Sequence, residues 1–305
     1  MNFLTRIRNS VYTFTINALL SSVKFLRSKR RISKQIEKIS MINNLSTQSP
    51  QLDFSIIIVT FEARFFEFTI PLITTLRSVS NAPIFVMVNG NFEKKFNNHK
   101  LQEFLEKLVV FPDIYPSVFS NFRGCAELWN TGIINADSEY NLILNDDIHV
   151  FPEHLNYILN TLCESLQNNH LVTINRSFSH FGITRKCIQE VGFFDEHFLG
   201  IGEEDRDYVF RFESRFKKSH FNLPTEVFLN ISDKSRDNAI TGINASNFTS
   251  KYSMFNFKMF QELYEADPTS SVKGVYDLPM NRKNEFVDPR PVWKFRGSNY
   301  GRLAE

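Results

Sequence analysis

Two rhythms of apolar residues run along this chain. Short, nearly continuous apolar runs alternate with longer stretches in which apolar positions recur every three or four residues. Phe54-Ser-Ile-Ile-Ile-Val-Thr60 is β-branched and almost unbroken, as a strand buried on both faces requires. Phe65 to Ser78 has helical spacing. Ala82-Pro-Ile-Phe-Val-Met-Val88 is a second strand, closed by the turn signal Asn89-Gly90-Asn91. Lys100 to Leu108 follows as a short helix, with Leu108 to Phe111 a candidate third strand. Glu127 to Ala136 reads as a helix leading into the apolar run Leu142 to Leu144. Pro152 to Asn168 is helical, Leu171 to Ile174 a strand, and Tyr208 to Phe216 and Met254 to Tyr264 are further helices. Strands and helices alternating at this spacing predict an α/β fold, with a mostly parallel central sheet and helices on both faces.

The strand around Leu142–Leu144 ends abruptly in Asn145-Asp146-Asp147. In open α/β sheets, ligands sit beyond the carboxyl ends of the strands. Two adjacent carboxylates there repel each other unless positive charge lies between or beside them. A hard divalent cation that also touches phosphate oxygens meets this need. A surface turn is the competing reading, since Asn and Asp favour turns.

Composition narrows the field. With 305 residues and 42% hydrophobic content, the chain can form one large α/β domain or two small ones. Its net charge of +2 gives no electrostatic case for nucleic acid, and none is expected as a partner. Cys125, Cys163 and Cys187 lack metal-ligand or disulfide-framework spacing, which suits a reducing compartment. No Gly-x-Gly-x-x-Gly follows the first strand and no P-loop is present, which disfavours dinucleotide and ATP-loop enzymes.

The first forty residues differ from the rest. Arg6, Arg8, Lys24, Arg27, Lys29, Arg30, Arg31, Lys34 and Lys38 stand against a single acid, Glu37. Leu4, Ile7, Val11, Phe14 and Ala18 recur at helical spacing, and the uncharged stretch between Arg8 and Lys24 is shorter than a membrane span needs. A basic amphipathic helix of this kind suits the surface of an anionic membrane; packing on the protein's own body or on a partner subunit is the alternative. The expected organisation is an arm and linker at 1–48, a catalytic body at 49–249, and a carboxyl-terminal helix and extended tail at 250–305.

Three segments of the body carry a resemblance. Ser55-Ile-Ile-Ile-Val-Thr-Phe-Glu62 is the first. Asn121-Phe-Arg-Gly-Cys-Ala-Glu-Leu-Trp-Asn-Thr-Gly-Ile-Ile-Asn-Ala136, running into Asn145-Asp-Asp147, is the second. Phe181-Gly-Ile-Thr-Arg185, Val191-Gly-Phe-Phe-Asp-Glu196 and Gly200-Ile-Gly-Glu-Glu-Asp-Arg-Asp207 form the third. In order and spacing they resemble family 2 type glycosyltransferases with the nucleotide-sugar-binding GT-A fold. The resemblance implies transfer of a sugar, hexosyltransferase fashion, from a nucleotide diphosphate sugar to a glycan or lipid-linked acceptor. It favours a UDP-sugar donor and inversion at the anomeric carbon. Thr60, Phe61, Glu62, Asn89, Arg123, Asn130, Asn145 and Asp146 are then expected on the donor side. For Arg123, an ion pair with Glu127 one turn on is the alternative to a phosphate contact.

By the same resemblance Asp147 ligates Mn²⁺ or Mg²⁺, which would neutralise the leaving diphosphate as a Lewis acid. Asn145 stands where relatives carry the first Asp of the motif. Asn230, or water, stands where many relatives place a metal-binding His. Asp205 is the expected base and Glu204 the residue holding acceptor hydroxyls, while Asp207 is expected to cap the helix start. Lys234 and Arg236 are candidates for the diphosphate. Together with the basic arm, the resemblance points to the cytoplasmic face of a bacterial membrane, in capsule or lipopolysaccharide assembly, with oligomerisation left open. Two other functions compete. A nucleotidyltransferase also uses paired acids on an α/β sheet, but residues 60–64 lack its Gly/Arg/Lys-rich signature. A glycan- or nucleotide-binding protein on a degenerate scaffold is suggested by Asn145, Asn89 and Asn230.

Overall fold

In the computed structural model the described residues are 53–91, 95–225, 228–230 and 255–261. The basic arm, Lys234, Arg236 and the extended tail therefore lie outside the described residues. A seven-stranded sheet forms the centre. It comprises β1 (Phe54–Phe61), β2 (Ile84–Asn89), β3 (Ile114–Val118), β4 (Tyr140–Asn145), β6 (Leu171–Ile174), β7 (Ser177–Thr184) and β8 (Phe221–Leu223), in the order β3-β2-β1-β4-β7-β6-β8. The block β3-β2-β1-β4 is parallel, β7 runs antiparallel between β4 and β6, and β8 is parallel to β6. A two-stranded ribbon pairs β5 (Ile148–Val150) with β9 (Phe228–Asn230).

The continuous apolar runs are explained by burial on both faces. Along β1, Ile56 and Ile58 enter one core cluster and Ile57 the other, and β2 and β4 alternate in the same way. The first face is covered by α1 (Ile70–Arg77), α2 (Asn98–Val109) and α4 (Pro152–Asn169). The second is covered by α3 (Cys125–Ala136), α5 (Arg185–Val191) and α6 (Glu204–Phe216). The fold is thus α/β, with a mixed, mostly parallel sheet between helices. On the second face, a Cβ on Gly132 would fall 2.4 Å from Ile57 Cγ2, so glycine lets α3 lie close against β1. No helix among the described residues is long and apolar enough to cross a membrane.

Three elements differ from the sequence expectation. The run beginning at Leu108 is not a strand: α2 continues to Val109, with Phe104 and Leu108 buried and Val109 and Val110 left 83% and 81% exposed. The third strand comes later, at Ile114–Val118, and its central Pro116 is tolerated because β3 is an edge strand. Strand β7 has no clean alternation because its second half is buried throughout. Helix α6 starts at Glu204, four residues before Tyr208, which moves the acidic cluster into its first turn.

Candidate active site

Parallel strands bring their carboxyl ends to one edge. In register, Phe61 of β1 lies beside Asn89 of β2, and Val59 beside Asn145 of β4. After β1 the chain makes a 3-10 turn, Glu62–Arg64, and then a π-helical turn, Phe65–Thr69. Such π turns occur frequently at functional sites. They carry Arg64 and Thr69 to the acids that follow β4. Arg64 Nη1 donates to Asp146 Oδ1 at 2.8 Å and lies 3.1 Å from Asp147 Oδ2. Thr69 donates to Asp146 Oδ2 at 3.3 Å, and the Thr60 and Thr69 hydroxyls are 2.6 Å apart. Burial opposes the charge on Arg64, and the two acids more than restore it. Burial also pushes the Asp146 carboxyl up to about 6, with Arg64 pulling the other way and Asp147 adding to the rise.

Most of the residues expected on the donor side stand at or near this edge, and several are committed to the scaffold. Asn89 donates through Nδ2 to the Arg123 carbonyl at 3.0 Å and accepts from the Arg123 N–H through Oδ1 at 2.8 Å. Its amide holds the loop before α3 and is not turned to a base edge. That loop approaches so closely that a Cβ on Gly90 would lie 2.3 Å from the Asn121 carbonyl carbon. Glu62 accepts from Asn91 Nδ2 at 2.5 Å and from the Asn97 N–H at 3.0 Å. Arg123 lies 3.3 Å from Glu127, the ion pair weighed against a phosphate contact. Phe61 lies under the Arg64 guanidinium, 4.6 Å from ring centroid to Cζ. Thr60 is buried, and Asn145 is half-buried at the end of β4. Asn130 is fully buried and ties α3 to the 192–196 loop, bonding both polar groups of Phe194 and Glu196 Oε1.

The second acidic group stands at the start of α6. Gly200 and Gly202 take positive φ, and so does Glu203 at 73°, which bends the chain sharply into the helix. Glu204 Oε2 accepts from the Gly202 N–H at 2.5 Å. Burial, with Asp205 and Glu203 adding negative charge, pushes Glu204 up to about 8. Burial also raises Asp205, whose Oδ1 accepts from the Arg206 N–H at 2.8 Å. Asp205 opens on a cavity of about 300 Å³, together with Glu203, Arg206, Thr173, Phe178 and His220. Arg206 pairs with Glu203 at 3.2 Å. Asp207 lies in the first turn of α6, as expected of an acid at the helix start, and is also fully buried and paired with Arg211 at 2.8 Å.

Two residues not singled out in the sequence take part. His180, on β7 opposite Leu144, is buried, with Nδ1 unpartnered among the described residues. Burial lowers its proton affinity and Asp147 raises it, and burial wins. It lies in a strand whose continuous burial leaves no apolar–polar alternation to mark it. Asn256 is fully buried and bonds Leu199 N–H and carbonyl at 2.8 Å and the Gly202 carbonyl at 2.9 Å. It clamps the loop that aims Glu204 and Asp205. A lone Asn in an aromatic helix gives no warning of this.

For a divalent cation the described donor set is incomplete. Asp147 Oδ1 is buried without a partner among the described residues and suits a cation. The other inner oxygens, Asp146 Oδ1 and Asp147 Oδ2, face Arg64. Among the described residues no three His, Cys, Asp or Glu side chains converge as a metal cluster. Strand β9 places Asn230 opposite Ile148, next to Asp147 in sequence, while its side chain lies outside the described residues. The described side chains therefore do not fit a divalent ion as they stand, because a guanidinium has the cation's place.

No family model and no curated protein matches the chain. Solved structures do. A mannosyltransferase from Pyrobaculum calidifontis, in complex with GDP-Man and Mn²⁺, aligns over 77% of this chain and 71% of its own, at 14% identity and a TM-score of 0.48. TarS 1–349 of S. aureus, in complex with UDP, aligns over 68% and 75%, at 12% identity and 0.40. Glucosyl-3-phosphoglycerate synthase from Mycobacterium tuberculosis, with Mn²⁺, UDP and phosphoglyceric acid, aligns over 59% and 71%, at 10% identity and 0.42.

Proposed function

We propose that this chain is a glycosyltransferase that moves a sugar from a nucleotide diphosphate sugar, with UDP-sugar the first choice, to a hydroxyl of a glycan or lipid-linked acceptor. One observation carries the reading: Asp205, a carboxylate raised by burial, opens on a cavity large enough for part of a sugar. In the proposed reaction an acceptor hydroxyl enters this cavity and gives its proton to Asp205 as its oxygen bonds to the anomeric carbon. The bond from that carbon to the diphosphate oxygen breaks on the opposite face, which inverts the centre. A base tuned toward neutral pH suits this step. Glu204, protonated up to about pH 8, offers a hydrogen-bond donor beside it. The donor nucleotide is assigned to the edge formed by Phe61, Glu62, Arg123 and Asn145. The Mn²⁺ or Mg²⁺ that the sequence resemblance implies at Asp147 enters no step here.

The basic arm at 1–48 is proposed to hold the enzyme on anionic membrane, where each Lys or Arg contributes roughly 1 kcal/mol near the surface. Salt-sensitive binding of the full chain to phosphatidylserine vesicles, lost on deleting residues 1–40, is the expected result. A panel of UDP-, GDP- and dTDP-sugars, offered with and without Mn²⁺ and assayed for released nucleoside diphosphate, tests the enzymatic reading. Release of pyrophosphate from a nucleoside triphosphate and a sugar phosphate would point to the nucleotidyltransferase. Nucleotide binding with no turnover in any buffer would point to the binding protein.

A further inference from the structure

Two adjacent buried carboxylates need positive charge, and in this fold it comes from the chain itself. Arg64 is 8% exposed. Its Nη1 reaches Asp146 at 2.8 Å and Asp147 at 3.1 Å, and its Cζ lies 4.6 Å from the Phe61 ring centroid and 5.7 Å from that of Phe68. Two acids and two aromatic faces thus hold one guanidinium. Arginine stays charged at every accessible pH, and its planar fork suits carboxylates. A dication on Asp147 Oδ1, which has no partner among the described residues, would sit beside this charge in a weakly screening interior, where like charges repel strongly. The backbone is shaped for the arrangement: the 3-10 and π turns after β1 deliver Arg64, and Thr69 from the same turn secures the far oxygen of Asp146.

We infer that Arg64 is the built-in counter-cation of the Asp146–Asp147 pair and excludes a divalent metal from it. In the reaction proposed above, nucleotide binding at this edge then proceeds without a bound metal. The positive charge that Mn²⁺ would place beside the acid pair is supplied by a side chain whose sequence neighbours, Ala63 and Phe65, give no hint of it. The exclusion rests on the acid pair alone and stands or falls apart from the sugar-transfer reading.

The test is a Mn²⁺ titration of the full chain, with no nucleotide, followed by calorimetry or Mn²⁺ paramagnetic resonance. Wild type is expected to show no saturable site that depends on Asp147. Arg64→Met is expected to gain one. Arg64→Met combined with Asp147→Asn is expected to lose it again. Arg64→Lys, which keeps the charge, is expected to behave as wild type. A stoichiometric wild-type site that Asp147→Asn removes overturns the inference, even if Arg64→Met fails to fold. UDP or GDP that binds wild type in Mn²⁺ but not in EDTA overturns it as well. If neither nucleotide binds in either buffer, the sugar-transfer reading fails, and the Mn²⁺ titration still decides the inference.

Discussion

The acids after β4 and the acids opening α6 meet the same difficulty in opposite ways. Both groups are buried in part or in full, and both crowd negative charges together. After β4 the answer is a cation: Arg64 bridges the pair, and Asp146 rises only to about 6. At the start of α6 Arg206 is turned to Glu203, Arg176 lines the same cavity without an ion pair to Glu204 among the described residues, and Glu204 rises to about 8. An acid group supplied with a buried cation becomes a fixed electrostatic element. An acid group left short of one keeps protons near neutral pH, which is where proton transfer belongs. One turn further along α6, Asp207 has Arg211 and falls back into the first class.

The largest expected effect sharpens that last contrast. Arg211 is 2% exposed and also donates to the Val191 and Phe193 carbonyls at 2.9 Å. Removing one partner of a buried ion pair strands the other charge, so Arg211→Met should cost about 3–5 kcal/mol. A urea midpoint shift with an unchanged slope would show it. A loss below about 1 kcal/mol would mean that the surroundings of Asp207 rearrange to replace the guanidinium.

Arg64→Met comes next. It strands Asp146 and Asp147 by the same mechanism, but Asp146 already holds its proton up to about pH 6. Without Arg64 that affinity rises further, so the variant's deficit should be clearly smaller at pH 5 than at pH 8. A pH-independent deficit would break the comparison.

Glu204→Gln tests the cation-poor group. A carboxyl raised in the folded state binds more protons native than unfolded. Its stability contribution therefore falls as pH rises from about 4.5 to about 8 and is flat beyond. The amide oxygen of Gln can still accept from the Gly202 N–H while carrying no charge. The variant's melting temperature relative to wild type should thus climb across that window; an unchanging difference would remove Glu204 from the account. The smallest effect is expected for Arg206→Met, whose pair with Glu203 is partly open to solvent and contributes roughly 0.2–1 kcal/mol.

Much of this architecture is legible in the sequence, and the exceptions have physical causes. Strands β1, β2 and β4 announce themselves because burial on both faces forces continuous β-branched runs. Helix α4 does so because a single apolar stripe faces the sheet. Strand β3 was hidden by Pro116, which is acceptable only at an edge that sequence alone does not define. The Asp146–Asp147 pair and the Glu203–Asp205 group were visible as acids placed where elements end. Their counter-charges were not, because Arg64, carried by a short irregular turn, meets an acid 82 positions away in sequence. Asn89 and Asn130 illustrate the reverse: both stand out in motifs, and both are spent on holding loops together. Part of the motif pattern that suggests a glycosyltransferase is thus scaffold.

The most direct test of the central claim separates turnover from donor binding in Asp205→Asn. This substitution is nearly isosteric, keeps an oxygen to accept the Arg206 N–H, and removes the ability to take a proton together with the negative charge beside Glu204. With the best donor and acceptor of the panel at saturation, the rate should fall by about 10²–10⁴, while the nucleotide dissociation constant stays within about twofold. A near wild-type rate would contradict the assignment of Asp205 as the base, and with it the reading of the α6 cavity as the place where the acceptor loses its proton.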